Sequence, residues 1–426
     1  VASKRTKTIE TVKAPAKPPA ERSPGLAGWL FPAYVALIFL GYLALRAPGA
    51  MTAGQEMHQV RALFSAVNAA TLTGFSQTVD IAKYPAPGQI IIFALMSFGS
   101  ILSLTIGGTA VSRILRLGYT DAQCLLAAVA AEIVAIGVGS FFLMFDSERT
   151  VAEAGFLAAS AFGNCGLTMG NAPDAMSWQT HLVLLPLIAA GGLGLCVLME
   201  MFDRVRGASQ SVSEQTLTAL RWTAGMYVAG TALMFVLGLW SGVYPGNEAT
   251  TAQAMRDLAA SSATAAVASR TAGMGLVALG QMSRPAMWMV MLLMAIGAAS
   301  GSTGGGIKTT TLAQIFRGMR GALNGERAER GFGVAIAWAG GFLLLIFVSV
   351  LLMLHVMPQV DGDRVLFLAI SAASNVGLNH APLNPDPAAA YVLCATMLIG
   401  RFGPMMVLWW MADTQGTDAP AELAVG

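Results

Sequence analysis

The chain has 426 residues, of which 55% are hydrophobic and only 11% charged, with a formal net charge of +2. Soluble domains carry about 25% charged residues, so the composition excludes a soluble globular protein, and the near-neutral balance offers nothing to nucleic acid. The cysteines Cys124, Cys165, Cys196 and Cys394 lack CxxC spacing, and His58, His181, His355 and His380 lack ligand spacing. Neither a disulfide scaffold nor a metal centre is expected.

Residues 1–27 form a tail rich in Pro and Ala that carries Lys4, Arg5, Lys7, Lys13, Lys17 and Arg22. Its composition predicts a disordered basic segment. Apolar stretches then recur at 29–45, 89–106, 124–145, 181–201, 222–240, 288–299, 334–356 and 391–411. About 20 apolar residues suffice to cross a bilayer as a helix, and the alternation of a membrane barrel is missing. Shorter stretches at 58–70, 151–163, 253–268 and 362–374 lie between successive pairs of spans. They are predicted half-helices that enter the membrane without crossing it.

Each half-helix runs into a short glycine turn. The turns are Thr71-Leu72-Thr73-Gly74, Asn164-Cys165-Gly166, Thr271-Ala272-Gly273 and Asn375-Val376-Gly377. Residues 156–167 align without a gap onto 367–378, and the other two copies are looser, which is the pattern of an internally repeated chain. The expectation is an all-α integral membrane fold of four tandem helix–pore-helix–helix repeats, eight spanning helices in all, around a central pore with pseudo-fourfold symmetry. Repeat 1 covers 28–113, repeat 2 covers 120–204, repeat 3 covers 218–320 and repeat 4 covers 330–412, leaving a C-terminal tail at 413–426.

Charge sets the orientation. Arg113 and Arg116, then Arg204, Arg206 and Arg221, then Arg317, Arg320, Arg327 and Arg330 fill alternate connections; the intervening ones hold Glu56, Asp80, Asp146, Glu148, Asp174, Asp361, Asp363 and Asp386 among mixed charges. The positive-inside rule places the basic connections and both termini in the cytoplasm, in a multi-pass protein of the cytoplasmic membrane. The half-helices then enter from outside and point the negative ends of their dipoles at the centre, where a cation is favoured. Glycine lets the following backbone turn its carbonyls inward in place of an ion's hydration shell.

Two further features stand out. Gly301-Ser302-Thr303-Gly304-Gly305-Gly306-Ile307-Lys308, within 300–311, cannot continue a stable helix. Non-helical backbone at that depth must be buried in protein or line a wet cavity, and a flexible loop beneath a filter is a natural gate. The stretch narrowly misses the phosphate-loop pattern and follows no strand, so nucleotide binding is not expected. Arg401 lies inside the last apolar stretch and is either a snorkelling arginine or a pore-facing contact for the glycine loop. Glu132, alone within its span, is read as a buried structural partner rather than part of a proton relay.

The fourfold repeat, the turns around Gly74, Gly166, Gly273 and Gly377, the Gly301–Thr311 loop and the Gly400-Arg401-Phe402-Gly403-Pro404 segment together resemble the Trk/Ktr/HKT superfamily of potassium transporters, and within it the Ktr-type membrane subunits. The resemblance implies potassium uptake with K+ bound at the filter, with sodium as an alternative cargo, coupling ion or activator. It implies a homodimer in the lipid bilayer, a cytoplasmic ring of nucleotide-binding RCK-type regulatory subunits and no enzymatic activity. It assigns the filter to the four turns and the gate to the loop, Lys308 and Arg401. In plant relatives a serine at the first filter glycine accompanies sodium preference; Gly74 stands there in this chain.

Overall fold

A computed structural model describes residues 26–51, 59–145, 148–208, 211–242, 251–276, 279, 282–327, 329–380 and 383–414. The basic tail up to residue 25, His58, Asp146 and the C-terminal residues after 414 lie outside these ranges. Every named element is helical: α1 (Leu26–Leu45), α2 (Gln59–Ala70), α3 (Ala86–Leu115), α4 (Asp121–Leu143), α5 (Val151–Phe162), α6 (Leu185–Leu193), α7 (Leu195–Val205), α8 (Glu214–Ser241), α9 (Thr251–Thr271), α10 (Arg284–Ala295), α11 (Thr309–Leu323), α12 (Arg330–Val356), α13 (Gly362–Ala373) and α14 (Pro387–Thr414). A π turn, Thr180–Leu184, leads into α6.

Local chemistry fixes several starts. Thr120 and Thr150 each cap a helix through a reciprocal box with the residue three positions on, Gln123 and Glu153. Ser213 and Ser283 cap α8 and α10. The half-helices α2, α5 and α13 are 12 residues each, too short to cross; α9 in the same place is longer, at 21 residues.

Polarity is distributed as lipid demands. Ser65, Asn68, Thr71, Ser100, Thr105, Ser160, Thr264 and Ser371 are buried, whereas Leu126, Ile133, Val228, Leu343 and Phe347 face outward. Small residues bring the spans close. A Cβ on Gly99 of α3, Gly191 of α6 or Gly400 of α14 would overlap the carbonyl oxygen of Ala70, Phe162 or Ala373, the last residue of the half-helix in the same repeat. Three spans are thereby pressed against the ends of three half-helices.

Among the described residues, six helices are long and apolar enough to cross a membrane: α1, α3, α4, α8, α12 and α14. The other two expected spans are broken. The stretch 181–201 is not one straight helix: α6 and α7 meet at Gly194 with a bend of 104°. Gly194 adopts φ 92° and ψ 152°, a conformation essentially reserved for glycine. The third repeat breaks between α10 and α11. Its non-helical stretch is 296–308, so the expected loop is shifted: Thr309–Thr311 already form the first turn of α11.

Candidate functional site

The turns after α2, α5 and α13 share one geometry. Leu72, Asn164 and Asn375 take left-handed φ values of 57°, 54° and 49°. The next amide then reaches back five residues: Thr73 to the Asn68 carbonyl at 3.0 Å, Cys165 to Ser160 at 2.9 Å and Val376 to Ser371 at 2.9 Å. This closes the helix end in the manner of a Schellman cap. The third turn is built differently. α9 runs on through Thr271, and the left-handed residue is Gly273 itself (φ 53°), whose amide bonds the Ala268 carbonyl at 3.0 Å.

Buried side chains hold the turns. Asn164 Nδ2 donates to the Ile188 carbonyl (3.2 Å) and to Thr303 Oγ1 (2.8 Å); Asn375 Nδ2 donates to the Met397 carbonyl (2.9 Å) and to Thr73 Oγ1 (2.9 Å). In the first turn Asn68 exchanges two bonds with the Phe75 backbone, at 2.8 and 3.0 Å. Thr71 and Thr73 share a hydroxyl bond of 2.7 Å.

The turns close into a ring. A Cβ on Gly74 would overlap the Cys165 carbonyl oxygen; one on Gly166, the Ala272 oxygen; one on Gly273, the Val376 oxygen; and one on Gly377, the Thr73 oxygen. Each glycine therefore lies against the carbonyl of the residue that precedes the next glycine, and the fourth returns to the first. All four have positive φ, so any side chain would be both strained and obstructed. Opening on the ring is a vestibule of about 1090 Å³, lined by Gly74, Gly166, Gly273 and Leu378 at its floor and by Asp80, Asp174, Lys83, Arg149 and His380 on its walls. Arg149 is turned into its own repeat, donating to Gln179 Oε1 at 2.9 Å.

On its other side the ring rests on the 296–308 loop, which is joined to each quarter directly or through a buried arginine. Arg401 is 2% exposed, which rules out snorkelling. Its Nε donates to the Thr71 carbonyl of the first turn (2.7 Å) and its Nη1 to the Thr303 carbonyl (2.6 Å). Thr303 Oγ1 contacts Asn164 of the second turn. Gly305 lies against the Ser374 carbonyl, just before the fourth turn. The third quarter is joined by a residue the sequence reading did not single out. Arg270, 1% exposed, donates through Nη2 to the Gly297 carbonyl (2.6 Å) and through Nε to Ile296 (3.4 Å), with its guanidinium 4.8 Å from the Tyr227 ring. Its one signal was a charge directly before a filter-like turn.

The root of the loop is pinched by Gly297 to the Ile307 carbonyl (3.0 Å) and Ile307 to Ala295 (2.9 Å). Within it, Ser302 Oγ bonds the Ala299 carbonyl at 2.6 Å, and Lys308 Nζ turns back onto the Gly304 carbonyl. The lysine thus neutralises loop carbonyls instead of offering its ammonium to a phosphate. A small cavity bounded by Gly107, Gly301, Gly305, Lys308 and Arg401 lies against the loop. Glu132 is buried in α4, with Oε2 accepting from Ser100 Oγ at 2.7 Å.

A pseudo-fourfold ring of glycine turns thus lies between a wide vestibule and a packed loop, and residues 125–412 match TrkH, the family described as "Cation transport protein". The chain belongs to the TrkH family. It is a multi-span membrane transporter of cations and not an enzyme. It is similar to Ktr system potassium uptake protein B of Vibrio alginolyticus, at 27% identity over 89% of this chain and 92% of that one. It is also similar to Potassium/sodium uptake protein NtpJ of Enterococcus hirae, at 28% identity over 88% and 90%. The crystal structure of the potassium transporter TrkH from Vibrio parahaemolyticus superposes with a TM-score of 0.71 at 17% identity, covering 94% of this chain and 87% of that one, a likeness of fold.

Proposed function

We propose that this protein carries potassium inward across the cytoplasmic membrane through a single pore per chain, with both termini cytoplasmic. The observation that carries the reading is the closed ring of Gly74, Gly166, Gly273 and Gly377 against one another's neighbouring carbonyls. Thr71 to Gly74, Asn164 to Gly166, Thr271 to Gly273 and Asn375 to Gly377 line the filter, and backbone oxygens substitute for the ion's water. The negative ends of α2, α5, α9 and α13 add a favourable field at the same point.

The loop with Arg401 is the gate. It occludes one face of the ring, is joined to all four quarters directly or through a buried arginine, and places a guanidinium at the Thr71 carbonyl. By the resemblance to the Ktr-type membrane subunits, the working unit is a homodimer, with RCK-type nucleotide-binding subunits on the basic connections around Arg204, Arg206 and Arg317 to Arg330. The division into four repeats at 28–113, 120–204, 218–320 and 330–412 follows from the same reading.

The test is flux in proteoliposomes together with growth of an uptake-deficient host on limiting potassium. Potassium-selective flux and rescue are expected; membrane-inserted protein giving neither would overturn the proposal. A second reading, sodium as cargo or coupling ion, draws on the relative named for both ions. A sodium-to-potassium flux ratio above one, or potassium flux that requires sodium, would establish it.

A further inference from the structure

The loop does not close the pathway alone. Three backbone hydrogen bonds join it to the break in the second repeat: Thr303 to the Gly191 carbonyl at 3.2 Å, Ala299 to Gly192 at 2.9 Å and Leu195 to the Gly301 carbonyl at 3.1 Å. Two irregular segments from different repeats, each unable to satisfy its own backbone inside a membrane, satisfy one another. The exchange is reciprocal, since α6 gives the carbonyls left over at its C-terminal end and the first amide of α7 is capped by the loop. Gly194 makes this pairing close. A Cβ there would stand 2.6 Å from the Ser300 carbonyl, whereas one on Gly192 would meet only the Ala298 methyl at 3.6 Å.

We infer that the Gly191–Leu195 break is the seat of the gate and α7 its lever, so that opening requires the three bonds to part as a unit. This rests on the reading of the 296–308 loop as the gate. α7 starts at the residue whose amide holds Gly301 and lies at 104° to α6. Its far end is gripped by the basic connections: Asp203 accepts from Tyr119 Oη at 2.7 Å and Glu200 from the Ser213 amide at 2.8 Å. Burial, and then the bond to Asp203, holds the Tyr119 phenol well above its ordinary pKa, so this grip stays neutral and donating at physiological pH. A force applied at Arg204 or Arg206 reaches the loop through one rigid helix, independently of Arg401.

The experiment is resting rubidium flux through the full chain in proteoliposomes, alone and without any regulatory subunit. Gly194→Ala should raise it roughly fivefold, the effect on a two-state ratio of losing about one backbone hydrogen bond. The rubidium-to-sodium ratio should stay unchanged, because the ring is untouched, while general damage to the fold would degrade that ratio. Gly137→Ala on α4, where a Cβ would meet nothing within 4 Å, should match the parent protein. A loop shortened within Gly304–Gly306 separates the two readings. If it leaks while Gly194→Ala does not, the seat is refuted and the gate stands; if neither leaks, the gate itself is refuted.

Hydrogen exchange on the unaltered protein decides the matter if Gly194→Ala fails to fold. The amides of Leu195, Ala299 and Thr303 should exchange together, at a rate distinct from the half-helix amides. Leu195 remaining protected while the other two exchange would overturn the inference.

Discussion

Arg401 Nε lies 2.7 Å from the carbonyl oxygen of Thr71, a residue 330 positions earlier in the chain, and the same guanidinium donates to Thr303. One side chain of the fourth repeat therefore joins the first glycine turn to the loop of the third. Its buried charge has no carboxylate among the hydrogen-bond partners. Carbonyl oxygens stabilise it instead, much as they would a permeating cation, so it competes for the negative potential on which conduction depends.

Replacing Arg401 by Gln should remove both the positive charge and at least one of the two bonds. Leaving a buried carbonyl unpaired costs about 1–3 kcal/mol, and here that cost falls on the closed state. Resting flux should rise roughly tenfold or more, with Arg401→Lys intermediate, since an ammonium keeps the charge but loses the planar fork that serves two carbonyls. Tracer flux into vesicles from the purified protein checks both variants.

Gly74 offers the corresponding test of selectivity. With φ 81° and a Cβ position that overlaps the Cys165 oxygen, it admits no side chain without displacing that carbonyl. Gly74→Ser should raise sodium permeation relative to potassium by loosening the ring between its first and second quarters. The measurement is the sodium-to-potassium flux ratio; an unaltered ratio would remove Gly74 from the filter.

Much of this was legible in the sequence where physics is periodic. Apolar length gave the unbroken spans, and the shared motif of 156–167 and 367–378 anticipated two turns in which Asn164 and Asn375 have the same left-handed backbone and donate to the same kind of carbonyl in the next helix. What stayed hidden depended on contacts distant in sequence. Hydropathy reads 181–201 as one span because every residue from 182 to 199 is apolar or small; the bend at Gly194 exists because the loop of another repeat supplies its missing partners. The 296–308 boundary was misplaced for a related reason. Thr309–Thr311 are poor helix formers in isolation, yet the Thr309 amide is satisfied by the Ala298 carbonyl and the helix starts there.

Arg270 is the further anchor that the pattern did not reveal. Arg270→Gln should weaken the root of the loop by removing the bond to Gly297 and the contact with Tyr227, a loss of about 2–4 kcal/mol for a buried guanidinium. The expected result is a melting temperature in detergent several degrees below the parent, with Arg270→Lys recovering part of it. An unchanged melting temperature would show that the root is held by Ala295, Gly297 and Ile307 alone.

The vestibule should make uptake sensitive to external pH through His380. Burial, and next the nearby Arg364, push the His380 pKa below its ordinary value, while Asp363 opposes them; the ring packs on Phe367 at a centroid distance of 4.7 Å. A histidine whose folded pKa is depressed is neutral at pH 7. The stability it contributes is fully present above the unfolded value of about 6.5 and is lost as pH falls through the lower folded value. Protonation in that window adds a positive charge to a vestibule lined by Asp80 and Asp174 as well as Lys83 and Arg149, which makes it less attractive to a cation. Potassium uptake should therefore fall on the acid side of the ordinary histidine pKa of about 6.5, more steeply at low ionic strength, where screening is weakest. His380→Gln keeps a polar side chain that does not titrate and should flatten that limb without altering uptake at pH 7.5. An acid limb of the same slope in the variant would assign the pH dependence to another group.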